Sequence, residues 1–573
     1  MRSHQHARAK EAIRRAIQDA IRESPRVLIH TASGRLYNKP EQAAAFEFLP
    51  IFTELISSMT THVDHARIEQ EVTKYYRYVT FSHKWEDNEP LFEKVMNIVV
   101  YELEQSPTHD KLKMFCKIVR EDGFHWAWSD TCCINKADHF ILQEALVAMF
   151  KWYQGSAVTI VFLLGVHSPS QRGDLVKSVW NTRAWTFQEY HAAKMVRFYT
   201  EDWELYMNID IPNHKESPEI TLEMEEATGV SARALMALRP GLDDIREKLC
   251  LASRRETTFV EDAAYSLLGI FSTSLPVVYG EGDKALGRLL AQLLTSSGDT
   301  SILAWTGKSG SFNSCLPASN TVFSQLPTSH IPPAPEGVNM DAMTARLRPA
   351  SPNFALAMRL HDRLNELAVP MFVGQRMKLP CITFKLGPVL ASRSGSENVF
   401  RAQTAALGIV EIKTEEDLAR LDSLYLIHPW IDFLLDRQSV GILEKIADNP
   451  SSSTAVLPLF PGPSHLTPMA KQTRTSRFMS RLGLTFVSRP PTPPRDAASL
   501  LPPASVTQID KQVRAMRFVA RLRQPFGALL FTPTRQNVAE YRRVASESMI
   551  TVRVQEDPPL NVLMENVRML DVL

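Results

Sequence analysis

Residues 157–166 read AVTIVFLLGV, ten consecutive uncharged positions rich in β-branched and large aliphatic side chains. A strand that is apolar throughout is buried on both faces, the condition of a central strand in a parallel sheet covered by helices. The run is far too short to cross a bilayer, which takes ~20 residues. Upstream lie ILQEALVAMFKWYQ (141–154), with helical spacing of its apolar residues, and the strand-like FHWAWSDTCCI (124–134). Before these, KLKMFCKIVRE (111–121) and LFEKVMNIVVYEL (91–103) repeat the helical pattern, and YVTFSHKW (78–85) is a short β-rich run. Downstream, MVRFYTEDW (195–203) reads as one more strand. Strands alternating with helices predict an α/β domain built on a parallel sheet.

Ligands of such sheets bind beyond the carboxyl ends of the strands. Polar clusters fall at three such ends: Ser82, His83 and Trp85; Asp130 to Lys136; and Arg183, Trp185, Thr186, Gln188 and Glu189 within SVWNTRAWTFQEY (178–190). Each has two readings. Ser82 and His83 suit a ligand edge or a buried hydrogen-bonded pair. Asp130 suits a ligand contact or a helix cap. Thr186 followed three residues later by Glu189 has the spacing of a capping box. Against that, Trp180, Trp185 and Tyr190 surround the carboxyl with aromatic walls that would raise its pKa and stack a planar ligand.

Other motifs carry less. Vicinal Cys132 and Cys133, with His125 and His139 nearby, lack the CxxC spacing of a tetrahedral zinc site, so no metal is expected. The GKS at Gly307 would need a glycine where Ile302 stands to form a P-loop, and in VVYGEGDKALG (277–287) Glu281 and Asp283 would repel a phosphate.

At 573 residues the chain exceeds what one core supports, and its 44% hydrophobic and 22% charged residues are ordinary for globular protein. With 64 Lys+Arg against 63 Asp+Glu there is no net field toward polyanions, and no nucleic-acid partner is expected. Six sparse cysteines and no secretory signal suggest a reducing compartment and a cytoplasmic location, with no membrane span. The opening basic stretch carries Glu11, Asp19 and Glu23 and reads as a surface helix rather than a transit peptide.

Composition divides the chain into a helical or irregular lead-in (1–75), the α/β domain (76–205), a helical extension (206–306), a linker (307–350) and a β-rich unit (351–447). A Ser/Pro-rich disordered insertion (448–512) and C-terminal strands that complete the β-rich unit (513–573) follow. Arg474, Arg477, Phe478, Arg481, Leu482, Phe486, Thr492, Pro493 and Arg495 recur 40 residues on, from Arg514 to Arg535. Residues 471–543 hold 14 basic against 3 acidic side chains, which suits RNA or anionic lipid, or a solvated linker.

YVTFSHKW, FHWAWSDTCCINK and SVWNTRAWTFQEY, in this order and spacing, resemble the fungal HET (heterokaryon incompatibility) domain, with a strand ending in SHxW, a WxDTCCIDK-like block and an RGWTxQE block. The sequence departs from that pattern at Lys84, Asn135, Ala184 and His191. The resemblance implies a role in nonself recognition and programmed cell death, and a TIR-like, flavodoxin-like parallel sheet with flanking helices, followed by a helical segment and a mostly β C-terminal unit. Some TIR domains cleave NAD through one glutamate. By the resemblance Glu189 would be that residue, with Ser82 and Asp130 beside it as catalytic groups. His83, Trp85, Arg183, Trp185 and Gln188 would bind substrate. The chain is then a candidate NAD glycohydrolase with no cofactor, NAD being substrate, and a candidate for homotypic assembly through the HET domain or for binding a protein partner. The alternative is a non-enzymatic module acting by oligomerisation or partner binding.

Overall fold

The computed structural model describes residues 2–60, 62–228, 231–324, 352–394, 397–404, 406–421, 423–429, 526–534, 537–554 and 564–573. Its first sheet is formed by Val27–His30 (β1), Arg35–Asn38 (β2), Tyr78–His83 (β3), Trp126–Trp128 (β4), Val158–Leu163 (β5) and Val196–Thr200 (β6), in the order β2-β1-β4-β3-β5-β6. Strands β4, β3, β5 and β6 run parallel, and the antiparallel hairpin β1–β2 joins the edge at β4. Counted from β3, the parallel strands follow the order second, first, third, fourth. The order therefore reverses between β3 and β5, where α/β sheets open a crevice at their carboxyl ends.

Burial explains these strands. Every residue of β3, β4 and β5 is buried, because the helices Pro107–Glu121, His139–Gly155 and Ala184–Ala192 connect successive parallel strands. Trp128 is fully buried, with Trp152 and Tyr153 of the His139–Gly155 helix meeting it edge-on at 5.6 and 5.5 Å between ring centroids. Each such large side chain removed from water contributes roughly 1.5–3 kcal/mol.

Three local readings change. The strand-like run at 124–134 keeps only Trp126–Trp128 in the sheet; beyond it the chain turns, with the Cys133 amide donating to Ser129 O at 2.9 Å. In 91–103 only Phe92–Val95 is α-helical, followed by the 3-10 turn Val100–Glu102. The lead-in, besides its helices, supplies the β1–β2 hairpin, which sequence reading placed nowhere. Its first helix, Arg2–Arg22, buries Ala9, Ile13, Ile17 and Ile21, a stripe at four-residue spacing.

The helical extension seats on the α/β domain through Gly269: a Cβ there would stand 2.2 Å from Phe150 Cβ, so only glycine fits. The helix Lys284–Ser297 buries Leu286, Leu289, Leu290, Leu293 and Leu294. Residues 307–324, read as the start of a linker, are packed: Cys315, Leu316 and Phe323 are fully buried, and Arg543 reaches back to the carbonyls of Leu303 and Trp305. The rest of that linker lies outside the described residues.

In the C-terminal β unit, the strand Tyr425–Pro429 pairs with both Phe526–Thr534 and Arg376–Lys385, which closes the path through Asn537–Val544 and Val567–Val572. Of the 40-residue repeat, Phe526, Thr532 and Pro533 stand on the strand Phe526–Thr534; the first copy, most of the basic tract and the Ser/Pro-rich insertion lie outside the described residues. No helix among the described residues is long and apolar enough to cross a membrane.

Candidate functional site

Ser82 and His83 end β3, opposite Val161 and Phe162 of β5, at the point where strand order reverses. Successive strand residues face opposite sides of a sheet, so these neighbours part company. Ser82 turns to one side, accepts from Trp180 Nε1 at 2.7 Å and donates to Glu189 Oε2. His83 turns to the other, stacked 4.3 Å from Phe81, which stacks in turn on Phe115. There its Nε2 faces Glu89 Oε1 at 3.6 Å, and Lys111 Nζ binds Glu86 and Glu89 at 2.7 and 2.5 Å. Burial pushes the Glu89 carboxyl up, but His83 and Lys111 outweigh it and hold the group at about 2. Ser82 thus joins Glu189, and His83 belongs to a separate buried charge network.

Glu189 sits on the Ala184–Ala192 helix and is 5% exposed. Burial and then the Asp130 carboxylate push it up to about 8 from 4.5; Ser82, Arg183 and Tyr153 oppose the shift. Tyr153 donates to Phe81 O at 3.0 Å, tying the His139–Gly155 helix to β3. A carboxyl in this state is protonated at neutral pH.

The capping-box reading is overturned. The helix starts after Arg183, which has extended backbone and provides no side-chain cap. Thr186 Oγ1 donates to the carbonyls of Trp180 and Arg183, both at 2.8 Å, instead of accepting from an amide. The helix's leading amide, Ala184 N, is satisfied from outside by Glu256 O at 2.9 Å. Arg255 completes the brace: its buried guanidinium donates to Arg183 O and Thr186 Oγ1 at 3.0 and 2.9 Å. Burial lowers its pKa to about 10.

Asp130, in the turn after β4, accepts from Trp85 Nε1 at 3.0 and 3.2 Å. Trp85 is 36% exposed and carries Lys136 Nζ over its ring. Trp185 donates away from the cluster, to Asp262 of the helical extension, whose carboxyl burial raises. Gln188 is fully buried against Met149 Sδ at 3.6 Å and takes no part. Cys132 and Cys133 are buried free thiols in the core.

The structure therefore gathers Ser82, Asp130, Glu189 and Trp85, with Arg183 close enough for its charge to act on Glu189; it separates His83, Trp185 and Gln188 from them. Sequence reading missed Tyr153 and Arg255, which carry no local signal, and left Trp180 out of the candidate set although it lies within the same block as Glu189.

The family model for heterokaryon incompatibility protein (HET) matches residues 78–174, a span holding Ser82, His83, Trp85 and Asp130 and ending before Glu189. The chain is similar to vegetative incompatibility protein HET-E-1 of Podospora anserina, 34% identical over 190 residues. That alignment covers 32% of this chain and 13% of the relative, so the chain spans a small part of that protein's length. No solved structure matches. The motif residues that the sheet assembles at one edge, Ser82, Trp85 and Asp130, therefore lie in a segment that matches the HET family model from the first residue of β3.

Proposed function

We propose that the chain is a nonself-recognition effector of the vegetative-incompatibility kind, in which the HET domain cleaves the nicotinamide glycosidic bond of NAD through Glu189. The carrying observation is a buried glutamate, bonded to Ser82 and beside Asp130, at the reversal point of the parallel strands. The order of those strands matches a flavodoxin-like sheet through its fourth strand, which supports the TIR-like reading.

Cleavage breaks the bond between ribose carbon and ring nitrogen. Nicotinamide leaves with the electron pair, the ribose develops oxocarbenium character, and water supplies the hydroxyl and releases a proton. A carboxylate beside the ribose stabilises that cation. Glu189 serves only once ionised, and its burial withholds that state. Opening the edge, through homotypic assembly or a partner, would hydrate the carboxyl and bring its pKa down toward 4.5. Burial is thus the off state.

The test is nicotinamide release from NAD by the full chain, concentrated or forcibly oligomerised, against Glu189→Gln. Release by the native chain alone supports the reading; equal signals end it. A second reading, a non-enzymatic signalling module, is favoured by the 5% exposure of Glu189 and 1% exposure of Ser82. It makes the cluster a structural tie between β3 and the Ala184–Ala192 helix, and it stands if signalling survives Glu189→Gln.

A further inference from the structure

The mouth of the cluster holds a cation of the protein's own. Lys136 Nζ lies 3.4 Å from the centroid of the Trp85 ring, on the electron-rich face that attracts positive charge. Trp85 is fixed in that orientation, because its Nε1–H donates to both oxygens of Asp130. An ammonium has three donors to satisfy, and the nearest conventional partner is Thr131 O at a long 3.5 Å. Burial lowers the Lys136 pKa; the charges of Asp130, Glu89 and Glu93 act the other way. The place offers a flat aromatic wall oriented by a carboxylate, with further acidic groups in range. It is occupied by a long, unbranched side chain that rotamer changes can swing away.

We infer that Lys136 stands in for the planar cationic ring of the substrate, a pyridinium, and covers the Trp85 face until that ring displaces it. A separation of 3.4 Å is a stacking distance, and a pyridinium adds ring–ring contact to the charge attraction that the ammonium supplies alone. The identity of the ring rests on the NAD-cleaving reading; the existence of a planar-cation site rests on the Trp85–Asp130–Lys136 geometry.

The probes are nicotinamide methylated on its ring nitrogen, which is cationic, and nicotinamide, its neutral counterpart, titrated calorimetrically into the full chain. Lys136→Met is expected to bind the methylated ring about tenfold more tightly than the native chain, the scale of a desolvated cation–π contact. Neutral nicotinamide should gain nothing, Lys136→Arg should behave as native, and adding Trp85→Leu to Lys136→Met should abolish the gain. No gain, an equal gain for the neutral ring, or a gain that survives Trp85→Leu overturns the inference. Should Lys136→Met fail to fold by circular dichroism, the native chain decides: saturating methylated nicotinamide should increase labelling of Lys136 by an amine reagent, read by mass spectrometry, and an unchanged level refutes displacement. Cation binding in this pattern without nicotinamide release from NAD keeps the site and removes the cleavage reading. Release without the pattern does the reverse.

Discussion

Ser82 Oγ donates to Glu189 Oε2 across 107 residues of chain, joining the end of β3 to the helix that follows β5. The same oxygen accepts from Trp180 Nε1, so one buried hydroxyl links a strand, an indole and a carboxyl. Because Ser82 is 1% exposed, water cannot replace it. Ser82→Ala should therefore destabilise the chain by about 1–3 kcal/mol, the cost of leaving buried partners unsatisfied. Urea unfolding with an unchanged slope checks it.

Glu189 should make stability fall as pH rises. Its folded pKa of about 8 lies above its unfolded value near 4.5, so the folded state holds the proton more tightly. The stabilisation is complete below the unfolded value and is lost as pH rises through the folded one, with a slope of at most about 1.4 kcal/mol per pH unit for one proton. Glu189→Gln should remove this component. Denaturation of both chains across this window, compared pairwise, isolates it; parallel curves would mean that Glu189 does not titrate there.

NAD cleavage, on the reading proposed above, should follow ionisation of the same group. Nicotinamide release should rise with pH to a plateau above about 8 while the edge is closed, and forced oligomerisation should move the midpoint downward. A pH–rate profile with and without an oligomerising tag measures both. A midpoint that oligomerisation leaves in place counts against the burial switch.

Arg255→Met should cost about 1–3 kcal/mol, since it removes two buried hydrogen bonds from a charged donor, to Arg183 O and Thr186 Oγ1, which keep only their bonds within the helix start. Arg255→Lys should restore only part of this, one ammonium replacing a planar fork. Thermal melts give the stability, and faster proteolysis near Thr182–Ala184 would show that the brace holds the start of the Glu189 helix.

Gln188→Leu should be close to neutral or stabilising in folding, and silent in any Glu189-dependent activity. Its amide is fully buried with only a sulfur contact for Nε2 and no partner for Oε1, so exchanging it for a similar apolar volume removes an unsatisfied group. A marked loss of activity at preserved stability would return Gln188 to the site.

The sequence by itself determined the doubly buried centre, because AVTIVFLLGV leaves no face for water, and it determined that three polar blocks follow three strands at one edge of the sheet. It also carried the resemblance to the HET domain, whose motif residues are local. Tertiary structure decided everything that depends on who stands opposite whom. Ser82 and His83 are adjacent in sequence, yet the two-residue period of a strand sends them to different partners, Glu189 and Glu89. Thr186 and Glu189 have the spacing of a capping box, yet the helix starts after Arg183, with Glu256 from the helical extension accepting from its leading amide, and the Glu189 carboxyl meets Ser82 instead. Local spacing lists the hydrogen bonds a segment can make. Which one forms is set by long-range packing, which places a better partner in reach and excludes the water that would otherwise compete.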